Sequence, residues 1–297
     1  MTVKEIYNRI TQELSRAGID DATSEAGIIL RETAGFTVTD MHMRPDTELD
    51  ESVLHTIETI ISRRLMREPL QYIYGRWNFM GLDFCVEKEV LIPRSDTEIL
   101  VESALKEIHD GMRILDLCTG TGCILISLLK YSNGCPGVGV DIAKKAVELA
   151  RKNSEFILGC DIDEDDATQV QFLEGDLYKA LDGSYDNSGE ELFDIIVSNP
   201  PYIKTDVIST LEPEVKGFEP VLALDGGSDG LDIIRRIIAG ADEHLIKGGS
   251  LFIEIGYDQG DAVSRLLTDA GFIDVEVIKD YAGLDRVVRG RRPILQK

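Results

Sequence analysis

Asn199-Pro200-Pro201-Tyr202 is the segment whose residue types and spacing carry the most chemistry. Two consecutive prolines fix the backbone and remove two N–H donors, so the turn is stiff and presents carbonyls. The Asn199 side-chain oxygen and the Pro200 carbonyl can each accept one hydrogen bond from an sp² NH2 group, and the Tyr202 ring can pack against that planar group. Asn199, Pro200 and Tyr202 are therefore candidate catalytic residues, and with Pro201 they form a candidate substrate site. The chemistry is transfer of a group to a planar nitrogen. The bland alternative is a proline-rich turn after a strand. The motif speaks to reaction type and says little about substrate.

A second cluster lies upstream, in Asp116-Leu117-Cys118-Thr119-Gly120-Thr121-Gly122-Cys123-Ile124. Gly120 and Gly122 let the backbone turn tightly at the carboxyl end of a strand, where doubly wound sheets bind cofactors. A dinucleotide fingerprint needs a third glycine or alanine where Leu125 stands. S-adenosylmethionine has no phosphate and carries a sulfonium cation, so an acid such as Asp116 is favourable nearby. Asp141, about 20 residues beyond the loop, can accept both ribose hydroxyls of an adenosine; it can equally cap the helix that starts near Ala143. Asp176 can meet the adenine amino group and Leu177 can pack on the ring, though Asp176 alone also reads as an ordinary loop aspartate. Three such strand ends in consecutive units favour an adenosine site. The expected cofactor set is Asp116, Cys118, Thr119, Gly120, Thr121, Gly122, Asp141, Asp176, Leu177 and Asn199, with no metal.

The elements needed to position these residues are legible in the hydrophobic pattern. From Val3 to about Met66 the periodicity is helical: Ile6, Ile10 and Leu14 fall on one face, and Val53, Ile57, Ile60, Ile61 and Leu65 on another. Asp20, Asp21 and Thr23 are candidate caps for a helix through Ala26–Leu30. Tyr72–Gly75 and Phe79–Val86 read as short strands of a hairpin linker. From Thr97 the chain alternates helix (Glu98–His109) and strand (Arg113–Cys118, Gly137–Asp141, Val170–Leu173, Phe193–Ser198, Leu251–Ile255, Asp274–Ile278, Arg286–Arg289). Five residues between the last two strands are too few for a parallel crossover, so these two pair antiparallel. The fold class is α/β: a class I methyltransferase fold, with a doubly wound, mostly parallel seven-stranded sheet and an antiparallel terminal strand, preceded by a small helical domain of about four helices. The expected division is a helical substrate-docking domain over 1–70, a hairpin linker over 71–96, and an S-adenosylmethionine-binding catalytic domain over 97–297.

Composition bounds the function. The chain has 297 residues, 54 acidic against 31 basic, and a formal charge of −23, which disfavours extended phosphate contact. An acidic surface suits a basic protein partner, and equally fits a demand for solubility or a salt-adapted source. No apolar run spans a bilayer and no signal core opens the chain. Cys85, Cys118, Cys123, Cys135 and Cys160 fit neither a disulfide framework nor a zinc spacing, and read as reduced cytoplasmic thiols. Asp161–Asp166 lacks the glycine and glutamate of a calcium loop and reads as a solvated acidic loop. His42, His55, His109 and His244 read as isolated surface residues, Arg94 as a partner or cofactor contact or a mate for Asp96 or Glu98, and Asp225–Gly230 as a flexible loop.

Four segments in order carry a resemblance across nearly the whole chain: Arg63-Arg64 with Glu68–Gly75, Leu91–Glu98, Asp116–Ile124, and Asn199–Ile203, with Phe218-Glu219-Pro220 following. Together they resemble the release-factor glutamine methyltransferase family, often called PrmC or HemK. The resemblance implies N5-methylation, with S-adenosylmethionine as donor, of the glutamine in the Gly-Gly-Gln loop of peptide-chain release factors. It also implies that the helical domain helps to dock the release factor. The accompanying expectation is a cytoplasmic monomer with no stable nucleic-acid or membrane association. Three positions depart from the family pattern. Ser95 replaces a usual proline. Cys118 replaces a usual glycine, which is harmless if its backbone avoids the left-handed region. Leu177 offers an aliphatic contact where some members offer an aromatic one. The alternatives are an adenine-N6 or cytosine-N4 nucleic-acid methyltransferase, which shares the nitrogen motif, and a non-catalytic protein-binding module with the same fold. An NAD-linked dehydrogenase is weaker for want of the third glycine.

Overall fold

The computed structural model describes residues 1–159, 170–182 and 192–294. Cys160 and the Asp161–Asp166 run lie outside the described residues. The chain divides into two compact units, Met1–Gly75 and Arg76–Lys297.

The first unit is helical: α1 (Val3–Arg16), α2 (Ala22–Ala34), α3 (Val38–Met43), α4 (Glu51–Leu65) and α5 (Leu70–Tyr74). A reciprocal capping box starts α1, with Glu5 N–H donating to Thr2 Oγ1 and Thr2 N–H donating to Glu5. Its buried stripe is Val3, Ile6, Ile10 and Leu14, which meets Ile57, Ile60 and Ile61 of α4 in one core. Leu65, expected on that stripe, is 40% exposed. Asp21 occupies the N-cap position of α2 without a side-chain cap bond. Arg64 is buried and bonds both oxygens of Glu25, at 2.7 and 3.0 Å, tying α4 to α2. The strand expected over Tyr72–Gly75 is instead α5. Pro69 precedes its first turn, Leu70 and Tyr72 are buried, and Gly75 ends it at φ +68°. One turn of helix is too short for its period to be read from sequence.

The second unit opens with a hairpin, β1 (Arg76–Phe79) and β2 (Leu82–Cys85), paired antiparallel around Met80-Gly81. A 3₁₀ turn over Ser95–Thr97 leads into α6 (Glu98–Leu105). Then follow β3 (Ile114–Leu117), α7 (Cys123–Tyr131), β4 (Gly137–Asp141), α8 (Lys144–Leu158), β5 (Val170–Glu174), β6 (Phe193–Ser198), α9 (Pro213–Phe218), α10 (Asp232–His244), β7 (Leu245–Glu254), α11 (Gly260–Asp269), β8 (Ile273–Lys279) and β9 (Asp285–Arg291). The seven-stranded sheet has the order β5-β4-β3-β6-β7-β9-β8. Six strands run in one direction, and β9 alone runs against them, antiparallel to both β7 and β8. The antiparallel strand is the last of the chain, as expected, and within the hairpin that ends the sheet it lies between β7 and the edge strand β8.

Apolar cores cover both faces, as parallel strands require. One joins Leu100, Ile124, Leu125 and Phe172, from α6, α7 and β5. The other joins Leu115, Ile196, Leu251, Ile237 and Val263, from the sheet, α10 and α11. The chain leaves β3 toward β4 on one side and returns to β6 on the other. This is the switch point at which the crevice beyond the strand ends opens. Among the described residues no helix is long and apolar enough to cross a membrane.

Candidate active site

β3 stops at Leu117, and the next five residues wind through the left-handed region at Cys118 (φ +61°), Gly120 (+57°) and Gly122 (+79°). The turn is anchored on three sides. Thr119 N–H donates to the Val140 carbonyl of β4 at 3.0 Å. Asn153 of α8, fully buried, donates to the Thr121 carbonyl at 2.9 Å and bonds Cys85 of β2 through both ends of its amide. Beneath the turn, Asp116 accepts from the Thr119 hydroxyl at 2.6 Å. Gly122 is needed because a Cβ there would lie 2.8 Å from Ile126 and 3.1 Å from Ala150. Cys118 therefore does occupy the left-handed backbone that its tolerance was expected to exclude, and a non-glycine residue pays on the order of 1 kcal/mol there.

A single cavity joins this turn to three other strand ends. Cys118, Thr119, Gly120, Thr121, Asp141, Asp176, Leu177, Asn199 and Pro201 all line it. Asp116, Gly122, Pro200 and Tyr202 are not in its wall. Asp116 is fully buried, and burial pushes its carboxyl up to about 7 against the Thr119 hydroxyl that favours its ionised form. It braces the loop from behind and does not face the cavity. Asp141 accepts from Gly120 N–H and from Ala143 N–H, both at 2.9 Å. It lies in the cavity wall and also holds the approach to α8, so both expected roles stay open. Burial raises its carboxyl, partly offset by those backbone donors. Asp176 follows β5 and is held by Arg236 of α10 at 2.6 Å, which keeps its carboxyl below the usual range. Leu177, at φ +53°, is nearly buried against the cavity.

The Asn-Pro-Pro-Tyr turn leaves β6 beside the glycine turn. Ser198 Oγ donates to the Leu117 carbonyl at 2.7 Å and locks the two strand ends together. Asn199 Nδ2 donates to Thr97 Oγ1 at 3.2 Å. Tyr202 turns its hydroxyl away from the cavity, onto Glu254 at 3.2 Å, and burial pushes its phenol pKa up, which keeps it protonated. The segment expected to be a flexible loop, Asp225–Gly230, packs on this turn. Ile203 and Asp225 form a parallel bridge, Gly226 N–H donates to the Ile203 carbonyl at 2.8 Å, and a Cβ on Gly226 would lie 2.8 Å from Pro201 O and Tyr202 Cα. Gln259 donates to the Tyr202 carbonyl at 3.0 Å and to the Gly230 carbonyl at 3.3 Å.

Arg94 pairs with neither Asp96 nor Glu98. It meets the buried Glu219 at 2.6 Å and lines the cavity, Asp96 meets Arg286 at 3.1 Å, and Glu98 accepts from Met80 N–H. His244 is half-buried and stacked on Tyr178 at 4.3 Å, while His42, His55 and His109 are exposed. Sequence reasoning gave no role to Thr97, Arg236, Glu254 or Gln259. Glu254 had a signal: it is the one charge in the apolar run Leu251–Ile255. The others are brought in by the fold. Among the described residues no His, Cys, Asp and Glu cluster forms a metal site.

Residues 5–75 match the family described as PrmC N-terminal domain, and residues 108–222 match the family described as methyltransferase domain. The release factor glutamine methyltransferase of Geobacter sulfurreducens is 38% identical over 290 residues, covering 98% of this chain and 96% of that protein. The release factor glutamine methyltransferase of Thermodesulfovibrio yellowstonii is 42% identical over 254 residues, covering 84% of each. A methyltransferase from Pyrococcus furiosus shares the fold, with a TM-score of 0.53 at 17% identity, over 76% of this chain and 98% of that one. Similarity of this extent and level leaves one assignment: the chain belongs to the release factor glutamine methyltransferase family.

Proposed function

We propose that this protein transfers a methyl group from S-adenosylmethionine to the side-chain amide nitrogen, N5, of the glutamine in the Gly-Gly-Gln loop of peptide-chain release factors. The observation that carries the reaction type is one cavity walled by both the glycine turn and Asn199, at the switch point of the sheet. The substrate follows from the relatives' names and from their near full-length match.

The cavity's donor set suits the cofactor. Asp141 and Asp176 stand at successive strand ends, and carboxylate oxygens with one bond filled keep lone pairs for ribose hydroxyls and an adenine amino group. Leu177, Ile142 and Ala143 supply apolar wall for a ring. Gly120 has open space where a side chain would project, so a ligand can approach its backbone. When bound, S-adenosylmethionine supplies an electrophilic methyl group on a positively charged sulfur.

The chain's own task is to prepare a poor nucleophile. An amide lone pair is delocalised into its carbonyl. Asn199 Oδ1 and the Pro200 carbonyl accept the two N–H bonds of the substrate amide, which fixes its plane and favours the geometry in which the lone pair localises. Alignment of this kind supplies several kcal/mol, and hydrogen bonds that strengthen as charge develops add to it. Cys118, Thr119 and Thr121 complete the wall. Residues 1–70 serve in docking, and the enzyme acts as a monomer without stable nucleic-acid binding. A formal charge of −23 supports that last point.

The test is transfer of label from S-adenosylmethionine to release factor, to its Gly-Gly-Gln→Gly-Gly-Ala variant, to DNA and to ribosomal RNA. Label on the unaltered release factor alone is the expected result. Label on nucleic acid alone would assign the base-methyltransferase reading, and cofactor binding without any transfer would assign a binding module.

A further inference from the structure

The chain is apolar from Leu251 of β7 to Ile255, just past its end, except at Glu254, which is 1% exposed. A lone carboxyl in a strand covered on both faces costs several kcal/mol unless its surroundings use it. The surroundings are specific. Tyr202 donates its hydroxyl to Glu254 Oε1 at 3.2 Å. Arg286 of β9 attracts the carboxylate and is itself held by Asp280 and Asp96, each at 3.1 Å. The Asp96 carboxylate opposes ionisation, and the Thr97 hydroxyl favours it. Arg94 and Arg286 act on the Tyr202 hydroxyl from the cavity side and from β9. Glu254 Oε2 is buried and has no donor in full hydrogen-bond geometry, which leaves an acceptor waiting.

Thr97 stands between this acceptor and the nitrogen site. Its Oγ1 already accepts Asn199 Nδ2–H at 3.2 Å. A hydroxyl has one proton to give, and an ionised carboxylate can only accept. The Thr97 hydroxyl favours the ionised form of Glu254, so its one free proton is the donor that the buried Oε2 lacks, and turning it there would complete a chain from Asn199 N–H through Thr97 O–H to the carboxylate. That direction keeps the Asn199 nitrogen inward and leaves its oxygen for the substrate. An amide turned by 180° would point its own NH2 at the substrate NH2, donor against donor.

We propose that Glu254 is the positioning residue of the nitrogen site: its carboxylate orients the Asn199 amide through Thr97 and holds the Asn-Pro-Pro-Tyr turn through the Tyr202 hydroxyl. Burial lifts Glu254 to about 7, so the relay sets and releases within the neutral range, set above that pH and lost below it. The consequence for turnover rests on the proposed amide methylation; the orientation of Asn199 does not.

The test has two arms on the full-length chain. In the first, the side-chain ¹⁵N–¹H resonances of Asn199, identified by their loss in Asn199→Ala, are followed from pH 5.5 to 8.5 without cofactor. The wild type shifts with a midpoint near 7; the shift is absent in Glu254→Gln, shrinks in Thr97→Val and returns in Thr97→Ser. In the second, kcat on release factor shows an acid limb with the same midpoint. Glu254→Gln loses the limb and falls roughly 10- to 100-fold in kcat, while the cofactor Kd by calorimetry stays within about two-fold. An Asn199 shift of unchanged size in Glu254→Gln, or an unchanged limb and kcat, overturns the proposal. If Glu254→Gln fails to fold, Thr97→Val keeps the carboxylate and the volume, and an unaltered resonance and kcat there overturn it equally. Failure of the wild type to methylate release factor would refute the proposed function and leave the resonance arm standing.

Discussion

Asn199 combines two constraints in one side chain: its nitrogen is committed to Thr97, and in the proposed scheme its oxygen is what the substrate meets. Truncation to alanine removes the acceptor and leaves the cavity wall otherwise intact. Asn199→Ala is expected to lower kcat by about 10²–10³-fold, the usual cost of losing one oriented polar group at a reacting centre, with cofactor still bound in a calorimetric titration. Normal turnover would exclude the scheme. Asp116 acts on stability. Its folded value of about 7 is above the 3.8 of an unperturbed aspartate, because it is fully buried. A group raised in this way stabilises below its unfolded value and loses that contribution as pH rises through 7. Asp116→Asn removes the titration, so the variant should gain on the wild type between pH 5 and 8, by on the order of 3 kcal/mol at most. Parallel Tm curves for the two proteins would refute it. Cys118 shows the limit of reading single residues. A left-handed backbone (φ +61°) is not visible in a cysteine, and the family's glycine at that position was the only hint.

At the scale of elements, the site depends on loops that pack as tightly as the core. Asp225–Gly230 has the composition of a flexible loop, yet Gly226 and Gly230 are there so that backbone can approach backbone. Gly230 lies at φ +77°, and a Cβ on it would collide with the Tyr202 carbonyl and come within 2.7 Å of Gln259 Nε2. Gly230→Ala should therefore cost about 2–3 kcal/mol through overpacking and backbone strain, lowering Tm and kcat together. Gly217 in α9 has nothing within 4 Å of its missing Cβ and an ordinary φ. Gly217→Ala is the control and should hold Tm or raise it slightly, as alanine favours helix. Equal losses in the two variants would show that the loop does not brace the turn. Composition failed to separate a loose loop from a close-packed one, because glycine serves both. The α5 turn was missed for a related reason: five residues do not complete enough of either period to distinguish helix from strand.

The whole molecule consists of two units, each with its own apolar core: Val3, Ile29 and Ile57 in the first, and the two faces of the sheet in the second. Separate cores predict that the unit Arg76–Lys297 survives removal of Met1–Gly75. That truncation should bind S-adenosylmethionine with near-normal Kd, while KM for release factor rises at least about ten-fold, since docking surface converts to affinity at about 1.4 kcal/mol per decade. An unchanged KM would remove the docking role from the helical unit. What the sequence by itself determined was local and periodic: the Ile6, Ile10 and Leu14 stripe of α1, the strands ending at or within a residue of Leu117, Asp141 and Ser198, and two motifs stiff or open enough to do chemistry, since prolines and glycines constrain the backbone wherever they stand. Tertiary structure decided what depends on residues far apart in the chain. It placed β9 between β7 and β8, put Asp116 behind the glycine turn, turned Tyr202 away from the cavity, and set Thr97 and Glu254 beneath Asn199. Burial and the direction of a hydrogen bond belong to a pair of groups, and no single position in the sequence records its partner.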